Sequence, residues 1–212
     1  MSLAYKISAF NRGRKYRLFL KLLAPREEET ILDVGFNDIE YSAGDNYLEK
    51  NYPRPEKITA LGLKTDDNSG RQFSKRYPKV KTLVYEGRQF PFKDQEFAIV
   101  WSNAVLEHVG AWEKQLEFLK EIKRVGGRAF ITTPNKNFPV EIHTRTLLLH
   151  FLPEKIFQAY LRLIGKSWAN GDYMHLLSER KLKELLAAAS IDNYQIIKNR
   201  LAGFTLDFVI IF

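Results

Sequence analysis

Short apolar runs alternate with helix-forming stretches from about residue 30 to residue 133, and two strand-like runs close the chain. This order predicts an α/β fold: a three-layer sandwich around a seven-stranded, mostly parallel sheet, with a C-terminal antiparallel hairpin. The apolar runs are short and nearly uninterrupted, as strands covered on both faces require. The connections between them suit right-handed crossovers. Composition agrees, because 212 residues with 45% hydrophobic and 27% charged side chains can bury a core. Collagen-like, low-complexity and wholly disordered chains are thereby excluded.

The elements follow in order. Residues 4–23 read as a basic amphipathic helix, with Tyr5, Ile7, Phe10, Leu18, Leu20, Leu22 and Leu23 among six basic residues, and Gly13 weakening its middle. After Pro25 come a strand at Thr30–Gly35, a helix from Tyr41 to about Tyr52, a strand at Lys57–Leu63, a short helix at Arg71–Tyr77 and strands at Val80–Tyr85 and Phe97–Ser102. Trp112, Leu116, Leu119, Ile122 and Val125 recur at helical spacing opposite Glu113, Lys114, Glu117, Lys120 and Lys123, and Gly126-Gly127 is a natural stop for that helix. A strand at Arg128–Thr133 ends at Pro134. Residues 178–189 are helix-like, and Tyr194–Lys198 and Phe204–Phe212 form a hairpin around Gly203. Residues 136–177, rich in aromatics, Leu and His, are longer than an ordinary strand-to-helix connection and read as an insertion over the substrate side. With no repeat or linker visible, residues 1–212 are expected to form one domain, including the N-terminal helix within 1–24.

Charge and cysteine narrow the chemistry. The chain has no cysteine, which removes disulfides, thiolate metal sites and a cysteine nucleophile, and fits a cytoplasmic location. No uncharged apolar run approaches the roughly 18 residues of a membrane span, and no signal-like core opens the sequence. A net charge of +8 allows an anionic partner: nucleic acid, acidic lipid or a phosphorylated substrate.

In an open parallel sheet, ligands bind beyond the carboxyl ends of the strands. Those ends carry Asp33-Val34-Gly35-Phe36-Asn37-Asp38, Gly62-Leu63, Tyr85-Glu86-Gly87-Arg88, Ser102-Asn103-Ala104 and Thr132-Thr133-Pro134-Asn135. They supply amides and carboxylates but no nucleophile beside a base. No G-x-G-x-x-G follows the first strand and no acid ends the second, which disfavours a dinucleotide dehydrogenase. No GxxxxGK[ST] loop supports nucleotide triphosphate hydrolysis.

Four stretches carry a resemblance. Ile31-Leu32-Asp33-Val34-Gly35; Gly87-Arg88-Gln89-Phe90-Pro91-Phe92 with Phe97-Ala98-Ile99-Val100; Asn103-Ala104-Val105-Leu106-Glu107-His108-Val109; and Glu121-Ile122-Lys123-Arg124-Val125-Gly126-Gly127 follow one another as family motifs do. In order and spacing they resemble the class I S-adenosylmethionine-dependent methyltransferases, closest to the methyltransferase type 11 group. The likeness runs from about residue 30 to 135, and the terminal hairpin matches the family's last two strands. It implies a Rossmann-like fold, S-adenosylmethionine as cofactor and S-adenosylhomocysteine as product.

The resemblance also implies roles. Gly35 would let the backbone approach the cofactor's amino-acid end, and Asp33 would favour its ammonium. Asn103 and Ala104 would line its middle, and Glu86 with Gly87 would lie near the adenine. Two departures stand out. Phe36 and Asn37 occupy positions where the family's loop carries further glycines, although Asn37 tolerates left-handed backbone. The acid that ends the second strand and holds the ribose hydroxyls aligns with Gly62, followed by Leu63. Asp66 and Asp67 lie close by and read as solvated loop charges. The lost charge-assisted hydrogen bond is worth about 1.5–3 kcal/mol.

On the acceptor side, Thr133-Pro134-Asn135 and Phe138-Pro139-Val140-Glu141-Ile142-His143-Thr144 look like a stretch that some type 11 members carry after the fifth strand. His143 is the candidate general base for a hydroxyl acceptor and His108 a second catalytic candidate. Glu107, Glu141 and Tyr173 are candidate substrate contacts. Glu141, His143, His150 and His175 lack zinc-type spacing, so no metal is expected. The expected activity is methyl transfer to a hydroxyl, before a nitrogen or carbon, of a small molecule, sugar or lipid-linked precursor. A methyltransferase-like binding protein without turnover is the alternative. A nucleic-acid methyltransferase ranks third, because Thr-Thr-Pro-Asn stands where a [DN]PP[YF] stretch would. The basic N-terminal helix suits phosphate contacts, solvent or a peripheral contact with acidic membrane equally well.

Overall fold

A computed structural model of the chain describes residues 3–141, 146–149, 152–167 and 174–212. Its seven-stranded sheet has the order β3-β2-β1-β4-β5-β9-β8 and is mostly parallel, with antiparallel C-terminal strands. These strands are β1 (Ile31–Val34), β2 (Ile58–Leu63), β3 (Lys81–Tyr85), β4 (Phe97–Asn103), β5 (Gly126–Pro134), β8 (Gln195–Leu201) and β9 (Phe204–Ile211). A two-stranded antiparallel ribbon, β6 (Val140–Glu141) with β7 (Thr146–Leu147), lies within the insertion. The helices are α1 (Leu3–Leu23), α2 (Tyr47–Asn51), α3 (Arg71–Arg76), α4 (Trp112–Val125), α5 (Glu154–Leu163) and α6 (Glu179–Ala188). Among the described residues no helix is long and apolar enough to cross a membrane.

The chain divides into two compact units. The first comprises Met1–Asn103, Glu121–Ile131 and Ile211–Phe212, and the second Ala104–Lys120 and Thr132–Ile210. In the first unit β1 lies between β2 and β4, with Asp33 paired to Ala60 on one side and Trp101 on the other. All four residues of β1 are buried, which is why its sequence lacks the alternation of a half-exposed strand. The basic helix α1 is not a free surface element. Its Phe19 is fully buried, edge-on to Trp101 at 4.9 Å, and Trp101 stacks on Phe130 at 5.0 Å. Burying a side chain of that size contributes about 1.5–3 kcal/mol. In the second unit, Ser178 caps α6 by accepting from Lys181 N–H, and α6 turns Leu182, Leu185 and Leu186 inward at helical spacing.

Two elements differ from the sequence expectation. The helix expected from Tyr41 to Tyr52 shrinks to α2, because side chains capture the backbone ahead of it. Asp45 Oδ2 accepts from the N–H groups of Tyr41 and Ser42, both at 2.8 Å. Asn46, left-handed at φ 48°, accepts from Asn37 N–H and donates to the Asn37 carbonyl and to Glu40. Local bonds of this kind offer an alternative to the helix. Gly126-Gly127 stops α4 but also begins β5 without a connecting loop, and a Cβ on Gly126 would run into Val100.

Candidate functional site

The carboxyl end of β1 is built by glycine geometry and side-chain ties. Gly35 N–H donates to the Leu61 carbonyl at 2.9 Å, and its φ of 103° lies where a side chain is strained. The exposed backbone at Gly35 is then followed by Phe36 and Asn37. Asn37 is held by Asn46, and Asp38 Oδ1 accepts from Phe73 N–H at 2.7 Å in the first turn of α3. The loop after β1 is therefore fastened at both ends although it lacks the further glycines.

Phe36 and Gly62 form one arrangement. A Cβ on Gly62 would sit 2.6 Å from the Phe36 ring, closer than carbon atoms approach one another. The same ring lies on Phe73, with centroids 4.2 Å apart, and its Cζ would be 3.4 Å from a Cβ on Gly70. The two departures noted in the sequence are thus coupled. The ring fills the space into which a side chain at position 62 would project, and only glycine leaves room for it.

β1 and α2 carry a pair of buried acids. Asp33 is buried on β1, and Glu49, on α2, is only 5% exposed. Neither Glu49 oxygen accepts a hydrogen bond from a donor. Its polar neighbour is the Asp33 carboxyl, which can donate only if it carries a proton. Burial, then the Glu49 charge and its hydrogen bond, raise the Asp33 pKa well above the carboxylate range, and Arg12 opposes the shift. Burial also raises that of Glu49. Each carboxyl therefore resists ionising beside the other, Asp33 the more strongly. Arg12 reaches this corner from α1, its stem lying against Gly44 and its Nη2 3.8 Å from Asp45 Oδ1.

At the ends of β2 and β3 the surface opens. Leu63 is 55% exposed and its Cδ1 would be 2.9 Å from a Cβ on Gly87, which has φ 80°. Lys64 N–H donates to the Tyr85 carbonyl, and its Nζ lies 3.6 Å from the exposed Glu86 carboxylate. Arg124 holds the following loop by donating to the Phe90 and Phe92 carbonyls and pairing with Glu121 and Asp94. Asp66 is exposed and closes its own turn by accepting from Asn68 and Ser69, as expected for a loop charge, and Asp67 is exposed beside it. Asn103 ends β4 half-buried.

The second unit carries the other candidates. Ala104 sits at φ 59°, a strained conformation for alanine, and its N–H donates to the Thr132 carbonyl. Glu107, expected as a substrate contact, is fully buried. Its Oε2 accepts from the Thr133 hydroxyl at 3.0 Å, and its Oε1 lies 4.0 Å from His108 Nε2. His108 itself is partly exposed. The Glu107 carbonyl accepts from His175 N–H, and Gln115 donates to the Leu106 and His175 carbonyls, which fixes this corner. Glu141 ends β6, while His143 and Tyr173 lie outside the described residues.

Sequence reasoning missed Glu49 and Arg12. The usable signal for Glu49 was its place between Leu48 and Tyr52, both buried, at the inner side of a short helix. Arg12 gave no signal beyond the general basicity of α1. The donor set fits a ligand with a cationic amino-acid end and a flat base. A buried Glu49 carboxylate without a partner interacts with Asp33 near the end of β1, and an exposed Leu63 with Glu86 lies at another place. The ring over Gly62 leaves no carboxylate for a ribose diol at that position.

Residues 42–131 match a family model described as a methyltransferase domain. A sequence comparison with curated proteins finds no match. Among solved structures, the chain resembles a SAM-dependent methyltransferase from Methanosarcina mazei at 19% identity and TM-score 0.55, covering 88% of this chain and 92% of that one. It also resembles one from Aquifex aeolicus at 16% identity and TM-score 0.53, with coverages of 94% and 96%. A third, the DszA carbon methyltransferase, gives 18% identity and TM-score 0.58 over 95% of this chain and 53% of that one. The family match spans less than half of the chain, and the likeness to these solved structures shows a shared Rossmann-like fold.

Proposed function

We propose that the chain methylates an oxygen of a small molecule, sugar or lipid-linked precursor. The observation that carries this reading is the His108–Glu107–Thr133 arrangement of the second unit. A hydroxyl acceptor must lose its proton as the new bond forms, and a histidine is suited to receive it near neutral pH. Glu107, buried and held by Thr133, favours the imidazolium that results. His108 is the general base of this reading; His143 lies outside the described residues.

In the first unit, Asp33 and Gly35 would hold the cofactor's amino-acid end. Leu63, Glu86 and Gly87 would border its base, while Phe36, Asn37 and Gly62 would wall the segment between and Asn103 would lie at its edge. When bound, the cofactor supplies an electrophilic methyl group on a sulfonium. Because in-line displacement is accelerated by positioning, the protein's remaining task is to orient the acceptor and take its proton.

The test combines calorimetry with transfer of labelled methyl groups. Micromolar binding of S-adenosylhomocysteine and labelling of saccharide or lipid-linked acceptors are the expected results. No binding at millimolar concentration would favour the inactive binding protein. Labelling confined to nucleic acid would replace the acceptor class. His108→Gln should lower turnover by about 100-fold while leaving S-adenosylhomocysteine affinity within about twofold. Loss of affinity in step with turnover would remove His108 from the base role.

A further inference from the structure

The buried acid pair on β1 and α2 has a charge balance that points to its ligand. Two carboxyls in one dry pocket cannot both ionise without a cation, so in the free protein one proton must stay with them. The groups around them do not remove that need. Arg12, from α1, opposes the Asp33 shift but is also drawn to Asp45. Glu40 adds negative charge near Glu49, and Lys50, which tempers it, is bonded to Glu40 at 2.8 Å and to the Asp45 carbonyl. Tyr77, after α3, donates to Glu40 and is held neutral by burial and by that carboxylate. No side-chain donor other than a protonated Asp33 reaches the Glu49 oxygens among the described residues, although Glu49 is buried and Asp33 lies two residues before the exposed Gly35.

We infer that Glu49 is a second carboxylate for the cofactor's α-ammonium, and that this ammonium displaces the proton shared by Asp33 and Glu49. The inference rests on the reading of the β1 end as the cofactor's amino-acid site. The balance is simple. Free, the pair holds one proton and one negative charge. Bound, it holds two negative charges against one ammonium, and the proton has gone to solvent. The net charge of the pocket is the same in both states, so the exchange carries no added cost of burying an uncompensated ion. Binding of this kind must strengthen as pH rises toward the pair's raised pKa, because each proton released drives association.

The experiment is calorimetry of S-adenosylhomocysteine binding in two buffers of different ionisation enthalpy, which counts protons released. This ligand has the ammonium but no sulfonium, so the count reports the amino-acid end alone. The expected result, at a pH below the pair's raised pKa, is net proton release on binding, against none for the analogue lacking the α-amino group. Glu49→Gln should abolish the release and weaken S-adenosylhomocysteine by about tenfold or more, while affinity for the deamino analogue is unchanged. Binding by the wild type without proton release, or a Glu49→Gln variant with both release and affinity intact, overturns the inference and leaves the cofactor site standing. Failure of the wild type to bind either compound removes the cofactor site and the inference together. The analogue comparison uses the unmodified protein, so it decides the matter even if the variant folds poorly.

Discussion

The two ends of β1 bury acids to similar depth and treat them in opposite ways. Just before the strand, Glu29 accepts from Arg26 N–H at 2.8 Å and from the Arg26 side chain, and both its oxygens accept from Arg128 Nη2 at 2.8 Å. Burial alone would raise its pKa, but these bonds outweigh burial and lower it. At the other end, Asp33 and Glu49 meet each other in place of a cation and both pKa values rise. Burial of a charged residue therefore does not mark a functional site; burial without satisfaction does. The amino end fastens α1 and β5 to the strand, and the carboxyl end carries the proposed ligand site.

Breaking the satisfied end should have the largest effect. Arg128→Met keeps the stem but removes the bonds to Glu29 and the 2.6 Å bond to the Leu23 carbonyl. Because the guanidinium is partly exposed, the loss should fall below that of a fully buried pair, at about 2–3 kcal/mol in urea unfolding at neutral pH. Glu29 has a lowered folded pKa, so its contribution is present above the unfolded value and disappears as pH falls through the folded one. The gap between variant and wild type should therefore narrow in acid, leaving the part owed to the Leu23 carbonyl bond. A cost below about 0.5 kcal/mol at neutral pH would place Glu29 with ordinary surface pairs and end the contrast.

The sheet was legible in the sequence because fully buried strands need apolar runs, and β1, β2 and β4 have them. The insertion was not, since its aromatics follow neither period. The helix at 41–52 was misread because Asp45 and Asn46 bind backbone that periodicity assigns to a helix. Asp33 and Gly35 were readable from their place after a buried strand. Phe36 and Gly62 were readable only as separate anomalies, because the contact joining them spans two strands. Glu49 was hidden, since an acid beside Leu48 looks like the edge of an exposed face until α2 is seen against Asp33.

The coupling between Phe36 and Gly62 sharpens the picture of the carboxyl end at intermediate cost. Gly62→Ala places a methyl 2.6 Å from the ring and should destabilise by about 2 kcal/mol. Phe36→Leu made together with it should restore at least half of that loss. Unfolding of the two single variants and the double variant measures the coupling directly. Additive losses would mean that the ring is not what keeps position 62 a glycine.

The smallest effect is the most specific to the unsatisfied pair. Asp33 and Glu49 have raised folded pKa values, so their contribution is complete below the unfolded carboxyl range of about 4 and is lost as pH rises through the folded values. Glu49→Gln cannot ionise, and its amide can donate to an ionised Asp33. The free variant should match or fall below the wild type near pH 4 and exceed it by about 1 kcal/mol near pH 8, as read from urea midpoints at each pH. A crossing of the two stability curves is the signature of a pocket that lacks its cation. Parallel curves would mean that Glu49 is satisfied as it stands, and the two ends of β1 would then differ in residues but not in kind.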